Sequence, residues 1–398
     1  MGFGGIEMLG LVLEGGGAKG AYHMGAVKAF FEEGYRFDGV AGTSIGALNG
    51  AVIVQGDFEA GYRMWETMDN SIFFDIEELQ LRKVIDKNVD KETLAYFTSK
   101  LREVIENKGL DTSGIRSIIN SIIDEERVRS SAMDLGIVTV SVSDLKPLEL
   151  YKEDIPQGKL CDYLMASANV PIFKIEPIEG KFFIDGAFYD NLPINLLARK
   201  GYKDIIAIRT LGHGLTRKTE DDSVRITNLT PSENLGRTLN FDNSQIKNNL
   251  KMGYFDAMRL ARNLCGIKYY IEGGDDTEFF KKMAGIPAGA ILNIGSQMRI
   301  PAMDPLRMLF ERIFPAIADY FGLNPDATHR EVAIALLEAE AEARGIDRYC
   351  IRTLEALAAE VRSSGRAAPS GKNLKKVFSP LFDENVIAAL GDEFAKYI

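Results

Sequence analysis

The chain has 398 residues, 46% hydrophobic and 26% charged, enough for a large globular core in roughly two or three domains and unlike a disordered or fibrous chain. Its formal net charge of −10, from 47 basic and 57 acidic residues, argues against a nucleic-acid binder and against electrostatic adhesion to anionic membranes, while leaving contact with lipid through apolar surface open. Cys161, Cys265 and Cys350 lie far apart with no CxxC pair, so neither a disulfide framework nor a cysteine zinc site is expected.

Taken in order, Leu9–Glu14 reads as a buried strand ending at glycines. Gly20–Glu33 repeats apolar residues at helical spacing, and Gly34 ends it. Phe37–Ala41 is a second strand and Ile45–Gln55 a small-residue helix that can lie close to a sheet. This alternation predicts a mostly parallel central sheet with helices on both faces. From 58 to about 130 the pattern turns helical and charged, with amphipathic stretches over 92–109 and 113–129, and reads as a helical insertion. The sheet resumes at Gly136–Ser143, with Leu148–Tyr151 as a partner strand. Cys161–Ser167 is a helix, and Gly180–Asp185 is a strand leading to Gly186-Ala187. Pro193 suits the first turn of the next helix, before a core strand at Asp204–Arg209. Leu211–Asp222 is a polar loop, followed by loop and helix to Arg262 and a short strand at Lys268–Ile271. Beyond that the chain is alanine-, leucine- and glutamate-rich helix, broken at Ser363–Asn373 and followed by a last helix pair. The expected division is an α/β domain over 1–272 and a helical domain over 273–398.

No uninterrupted apolar run of about 18 residues is present, so no transmembrane helix is expected. The stretch MGFGGIEMLG lacks the basic and apolar regions of a signal peptide, and Ile6 breaks the myristoylation pattern. The expectation is a cytoplasmic protein, with peripheral contact at a membrane left open.

Two loops of the first fifty residues carry chemistry. Gly42-Thr43-Ser44-Ile45-Gly46 is a G-x-S-x-G pattern between a strand and a helix. Its glycines relieve the crowding of a sharp turn that lifts the serine hydroxyl out of the sheet, near the positive end of the helix. The same pattern in isolation also serves as a helix cap. Gly15-Gly16-Gly17-Ala18-Lys19-Gly20 offers backbone N–H groups with little steric cover. Gly15, Gly17 and Gly20 fit a dinucleotide G-x-G-x-x-G, but Asp38 stands at the start of the second strand rather than its end. Walker A fails because Ala21-Tyr22 follows Gly20. The alternative is an oxyanion hole, with Gly16 and Gly17 the preferred donors. Lys19 either holds an anionic substrate or is a solvated residue at a helix start.

A serine nucleophile needs a base. The chain has three histidines, His23, His213 and His329, none inside a recognisable motif. Asp185 ends a strand and precedes Gly186, a placement parallel to that of Ser44. A carboxylate raised above its free value of about 3.9 by an apolar site can act as the base directly. An Asp-Gly turn is the bland alternative.

Gly15–Gly20, Gly42–Gly46 and Asp185-Gly186-Ala187, with Ala166-Ser167-Ala168-Asn169-Val170-Pro171 and Phe173 before the last of these, resemble the ordered motif blocks of the patatin-like phospholipases. The resemblance implies Ser44 as nucleophile, Asp185 as its base and Gly15–Gly20 as the oxyanion hole. It implies cleavage of acyl esters of phospholipids or related lipids through an acyl-enzyme, with no metal or other cofactor. Two other readings stay open. One is a histidine-assisted serine esterase or acyltransferase using His213 or His329. The other is a non-catalytic lipid- or nucleotide-binding α/β protein with a helical interaction module.

Overall fold

The computed structural model describes residues 8–68, 113–170, 173, 176–365 and 384–398. The amphipathic stretch expected at 92–109 and most of the expected linker at 363–373 lie outside these residues. The chain divides into two compact units, Met1–Met258 and Arg259–Ile398, whereas the sequence reading sets its boundary at 272/273.

Among the described residues the first unit contains seven strands: β1 (Leu9–Leu13), β2 (Gly39–Thr43), β3 (Asp134–Ser141), β4 (Lys146–Tyr151), β5 (Phe183–Asp185), β6 (Asp204–Ile208) and β7 (Arg225–Leu229). Its helices are α1 (Ala21–Glu32), α2 (Ile45–Val54), α3 (Phe58–Thr67), α4 (Ser113–Ile122), α5 (Glu125–Ser130), α6 (Leu160–Ser167), α7 (Ile194–Arg199) and α8 (Asn243–Arg262), the last running across the division. The strands form one sheet in the order β4-β3-β2-β1-β6-β7, with β5 added on β3. β1, β2, β3, β6 and β7 are parallel, while β4 and β5 run against β3. The carboxyl ends of the parallel strands therefore share one edge.

Strand alternation explains the layers. Val12, Ala41, Val138 and Ala207 pack with Leu196 and Leu197 of α7 on one face. The other face carries Val40 and Leu135, against which Gly50 of α2 rests. Helices cover both faces, as the α/β reading expects.

Two strand boundaries and one additional strand stand out against the sequence reading. The strand expected at 37–41 is shifted to 39–43, because Asp38 accepts a hydrogen bond from Leu9 N–H (2.9 Å) and forms part of the turn. The strand expected at 180–185 begins only at Phe183. Glu179 and Gly180 form a tight turn there with φ of 51° and 79°. β7 was not expected at all. It is an edge strand, and the mixed exposure of Arg-Ile-Thr-Asn-Leu hides the apolar signal of a core strand.

The second unit is helical around an apolar core that includes Met283, Leu309, Ile317, Leu336 and Leu357. A capping box of Thr328 and Glu331 starts its helix His329–Ala343. A π-turn at Leu309–Ile313 precedes Pro315, whose missing N–H disturbs the helical ladder. Its one described sheet is a two-residue parallel pair, Tyr270–Ile271 with Ile351–Arg352. Among the described residues no helix is long and apolar enough to cross a membrane.

Candidate active site

β3 is eight residues long and shares one edge between two strands. β2 pairs with Asp134–Val138 and β5 with Thr139–Ser141, while β4 occupies the opposite edge. β2 ends at Thr43, opposite Val138. β5 arrives from the other direction and ends at Asp185, opposite Thr139. The two strands meet end to end, which brings Ser44 beside Asp185.

Ser44 adopts φ 56° and ψ −126° at the start of α2. A non-glycine residue held there costs on the order of 1–3 kcal/mol. Its N–H donates to Ser167 Oγ (3.0 Å), and its carbonyl accepts from the N–H groups of Ala47 and Leu48. Thr43 Oγ1 donates to the Asp190 carbonyl (2.7 Å), tying the turn to the segment after β5. The flanking glycines are needed for space. A Cβ on Gly42 would lie 2.3 Å from the Gly46 carbonyl, and one on Gly46 would lie 2.2 Å from the Leu13 carbonyl oxygen.

The glycine loop is pinned from several sides. Buried Glu14 accepts hydrogen bonds from Thr210 N–H (2.7 Å), Leu211 N–H (2.9 Å) and Arg209 (3.1 Å). Gly15 N–H donates to the Asn191 carbonyl, Ala18 N–H to the Thr238 carbonyl, and Lys19 N–H to the Gly16 carbonyl. Those three donors are committed to the fold. The N–H groups of Gly16 and Gly17 have no acceptor among the described residues, and both residues line the cavity that Ser44 enters. Gly17 has φ 57°, and a Cβ there would meet the Thr238 carbonyl at 2.2 Å. Lys19 is buried rather than solvated. It donates to the Leu211 carbonyl (3.2 Å), and burial lowers its pKa against the opposing pull of Glu14.

Asp185 is 2% exposed. Burial pushes its pKa up from 3.8 to about 6, partly countered by hydrogen bonds from Ala187 N–H (2.8 Å) and from the Ser44 hydroxyl. Its own N–H donates to the Asn169 carbonyl, which links it to the Ala166–Pro171 block. A carboxylate so placed takes up a proton more readily than one in water.

Ser44, Asp185, Gly16, Gly17, Ile45 and Ala187 line one cavity of about 230 Å³. Gly15, Ala18, Lys19, Gly20, Gly42, Thr43, Gly46 and Gly186 do not line it and support it from behind. The walls are apolar. α2 contributes Leu48 and Val52, α3 contributes Met64 and Trp65, and α4 contributes Ile115, Ile118, Ile119 and Ile122. The α4 residues follow the i, i+3, i+4, i+7 stripe of an amphipathic helix. That stripe is visible in SGIRSIINSII, but helical spacing alone does not distinguish a cavity wall from ordinary core. Of the residues that hold the two loops, Ser167 lies in the Ala166–Pro171 block, while Asn191, Thr210 and Thr238 carry no motif of their own.

The histidines are dispersed. His23 is fully buried in α1, faces Asn49 (3.4 Å), and has its pKa lowered to about 3 by burial. His213 is exposed but lines the cavity. His329 belongs to the second unit.

A family model described as patatin-like phospholipase matches residues 11–198. The chain is 27% identical over 202 residues to patatin-like phospholipase domain-containing protein ZK370.4 of Caenorhabditis elegans. It is 28% identical over 212 residues to neuropathy target esterase sws of Drosophila melanogaster. Each alignment spans 50% of this chain and 13% of the relative. Among solved structures, VipD from Legionella pneumophila aligns over 85% of both chains at 15% identity and a TM-score of 0.39. The matched residues 11–198 hold both loops, Asp185 and most of the cavity wall, so the similarity to the patatin-like phospholipase model falls on the site itself.

Proposed function

We propose that this chain is a serine acyl-ester hydrolase acting on lipids, of phospholipase A or lysophospholipase type. The observation that carries this reading is the buried Asp185 carboxyl beside Ser44, both lining one apolar cavity. Asp185 accepts the Ser44 proton as Oγ attacks the ester carbonyl. The N–H groups of Gly16 and Gly17, aided by the positive end of α2, stabilise the oxyanion. The C–O bond to the leaving alcohol breaks, and Asp185 returns the proton to that alcohol. Water then attacks the acyl-Ser44 carbonyl, giving up its proton to Asp185; the C–Oγ bond breaks, Asp185 returns that proton to Ser44 Oγ, and the carboxylic acid leaves. The acyl chain lies between α2 and α4. This chemistry belongs to the α/β part of the chain within 1–272, with 273–398 a separate helical domain.

A fluorophosphonate probe is expected to label wild-type protein at Ser44, located by peptide mass spectrometry. Absence of label on a protein that hydrolyses esters would sink the reading. His213 tests the histidine-assisted alternative, because it lines the same cavity. His213→Ala is expected to leave kcat/KM on a short ester within about threefold of wild type. A loss near the 10²–10⁴ range of a general base would transfer the role to His213.

A further inference from the structure

Among the described residues of the first unit, four large apolar side chains are exposed: Met8 (39%), Leu145 (70%), Leu211 (55%) and Leu215 (43%). Three of the four lie at the carboxyl edge of the sheet, where Ser44 and Asp185 meet. Leu145 is in the turn that carries β3 past Ser141 into β4. Leu211 and Leu215 follow β6, and His213 and Gly214 between them line the cavity. In the strand order β4-β3-β2-β1-β6-β7, these positions flank the site from both sides. Met8 stands at the opposite edge, before β1.

The leucines are held out by their backbones. Leu145 and Leu211 have φ of 53° and 51°, a left-handed conformation that a leucine adopts at a cost. The loop after β6 is strapped down at both ends of the pair. Leu211 N–H donates to Glu14 (2.9 Å), its carbonyl accepts from Lys19, and Leu215 N–H and carbonyl bond to Ala187 and Asn191. A loop fixed this way cannot fold its leucines back under the surface. Charges of both signs stand beside these positions, Asp144 and Lys146 around Leu145, and Arg217, Lys218, Glu220 and Asp221 beyond Leu215. That mixture suits a zwitterionic phospholipid surface reached through apolar contact rather than through net charge.

We infer that Leu145, Leu211 and Leu215 form a rim that docks the cavity mouth onto a phospholipid surface, so that an acyl chain passes from the aggregate to Ser44 without crossing water. The inference rests on the reading of the cavity as an acyl site. The rim side chains themselves take no part in the chemistry.

The test uses full-length protein and two substrates. Leu145→Ser/Leu211→Ser/Leu215→Ser is expected to lower partition onto phosphatidylcholine vesicles, measured by flotation, about 100-fold or more, at roughly tenfold per leucine withdrawn from lipid. Its hydrolysis of vesicle phospholipid should fall in step, while kcat/KM on monomerically dissolved p-nitrophenyl butyrate stays within about twofold. Met8→Ser is expected to leave vesicle binding unchanged. The inference fails if wild-type protein does not float with the vesicles, if the triple variant floats as wild type does, if Met8→Ser costs as much, or if both substrates lose activity equally. Absence of butyrate hydrolysis in every variant, with flotation behaving as expected, would count against Ser44 as nucleophile and for the rim.

Discussion

Ser44→Ala is expected to lower kcat/KM on p-nitrophenyl butyrate about 10⁶-fold, to the level left by binding and oxyanion stabilisation alone. The effect should be confined to chemistry. Alanine keeps the Cβ, so the φ of 56° is no more strained than before, and the N–H that donates to Ser167 remains. The carbonyl bonds that open α2 are likewise untouched. Urea unfolding should therefore give a stability within about 1 kcal/mol of wild type. A variant that is stable and still turns over would leave Ser44 as a helix cap and move the nucleophile elsewhere.

Asp185→Asn is expected to cost about 10³-fold in kcat/KM and to stabilise the protein at the same time. The amide has the shape of the carboxyl and can still accept from Ala187 N–H. It cannot take the serine proton. In wild type, kcat/KM should rise with pH and reach half its plateau near pH 6, where the carboxyl titrates. The residual rate of the variant should lack that limb. The stability effect follows from the same shift. Asp185 has a pKa of 3.8 unfolded and about 6 folded, so the folded protein holds the proton more tightly. The contribution is fully present below pH 3.8 and is lost as pH rises through about 6, on the order of 3 kcal/mol in all. Above pH 7 wild type carries a buried carboxylate that the variant lacks. Asp185→Asn should unfold at higher urea than wild type at pH 8, with the gap closing near pH 4. Lower stability at pH 8 together with retained activity would contradict both halves of the argument.

The chemistry-bearing loops were legible because each stands at a strand end with a glycine beside it, and strand ends are marked in sequence by apolar runs that stop. Gly15–Gly20, Gly42–Gly46 and Asp185–Ala187 could each be seen that way. Their meeting is implied only by the order of the motif blocks and not by any one of them. It depends on β3 lending the same edge to β2 and to an incoming β5, and pairing register between residues as distant as Thr43 and Val138 or Thr139 and Asp185 leaves no local trace. The state of Asp185 was equally hidden, since it follows from burial rather than from the Asp-Gly dipeptide. Within the glycine run, sequence offers six equivalent N–H groups. The sequence preference for Gly16 and Gly17 gains a physical reason from the bonds that commit Gly15, Ala18 and Lys19 elsewhere and from the place of Gly16 and Gly17 in the cavity lining. Lys19 reads as a solvated helix-start residue until Glu14 and Leu211 close over it.

β5 has a consequence for how the protein loses activity. It is three residues long and its ladder partners are the last three of β3, whereas β2 and Ser44 are held by the central strands and by α2. Short elements at the end of a ladder are the small cooperative units that open first. Such an opening would carry Asp185 away while Ser44, the glycine loop and the rest of the sheet stayed in place. With Asp185 as the proposed base, activity would then be lost through the opening of one short strand, at a lower temperature than the melting of the domain.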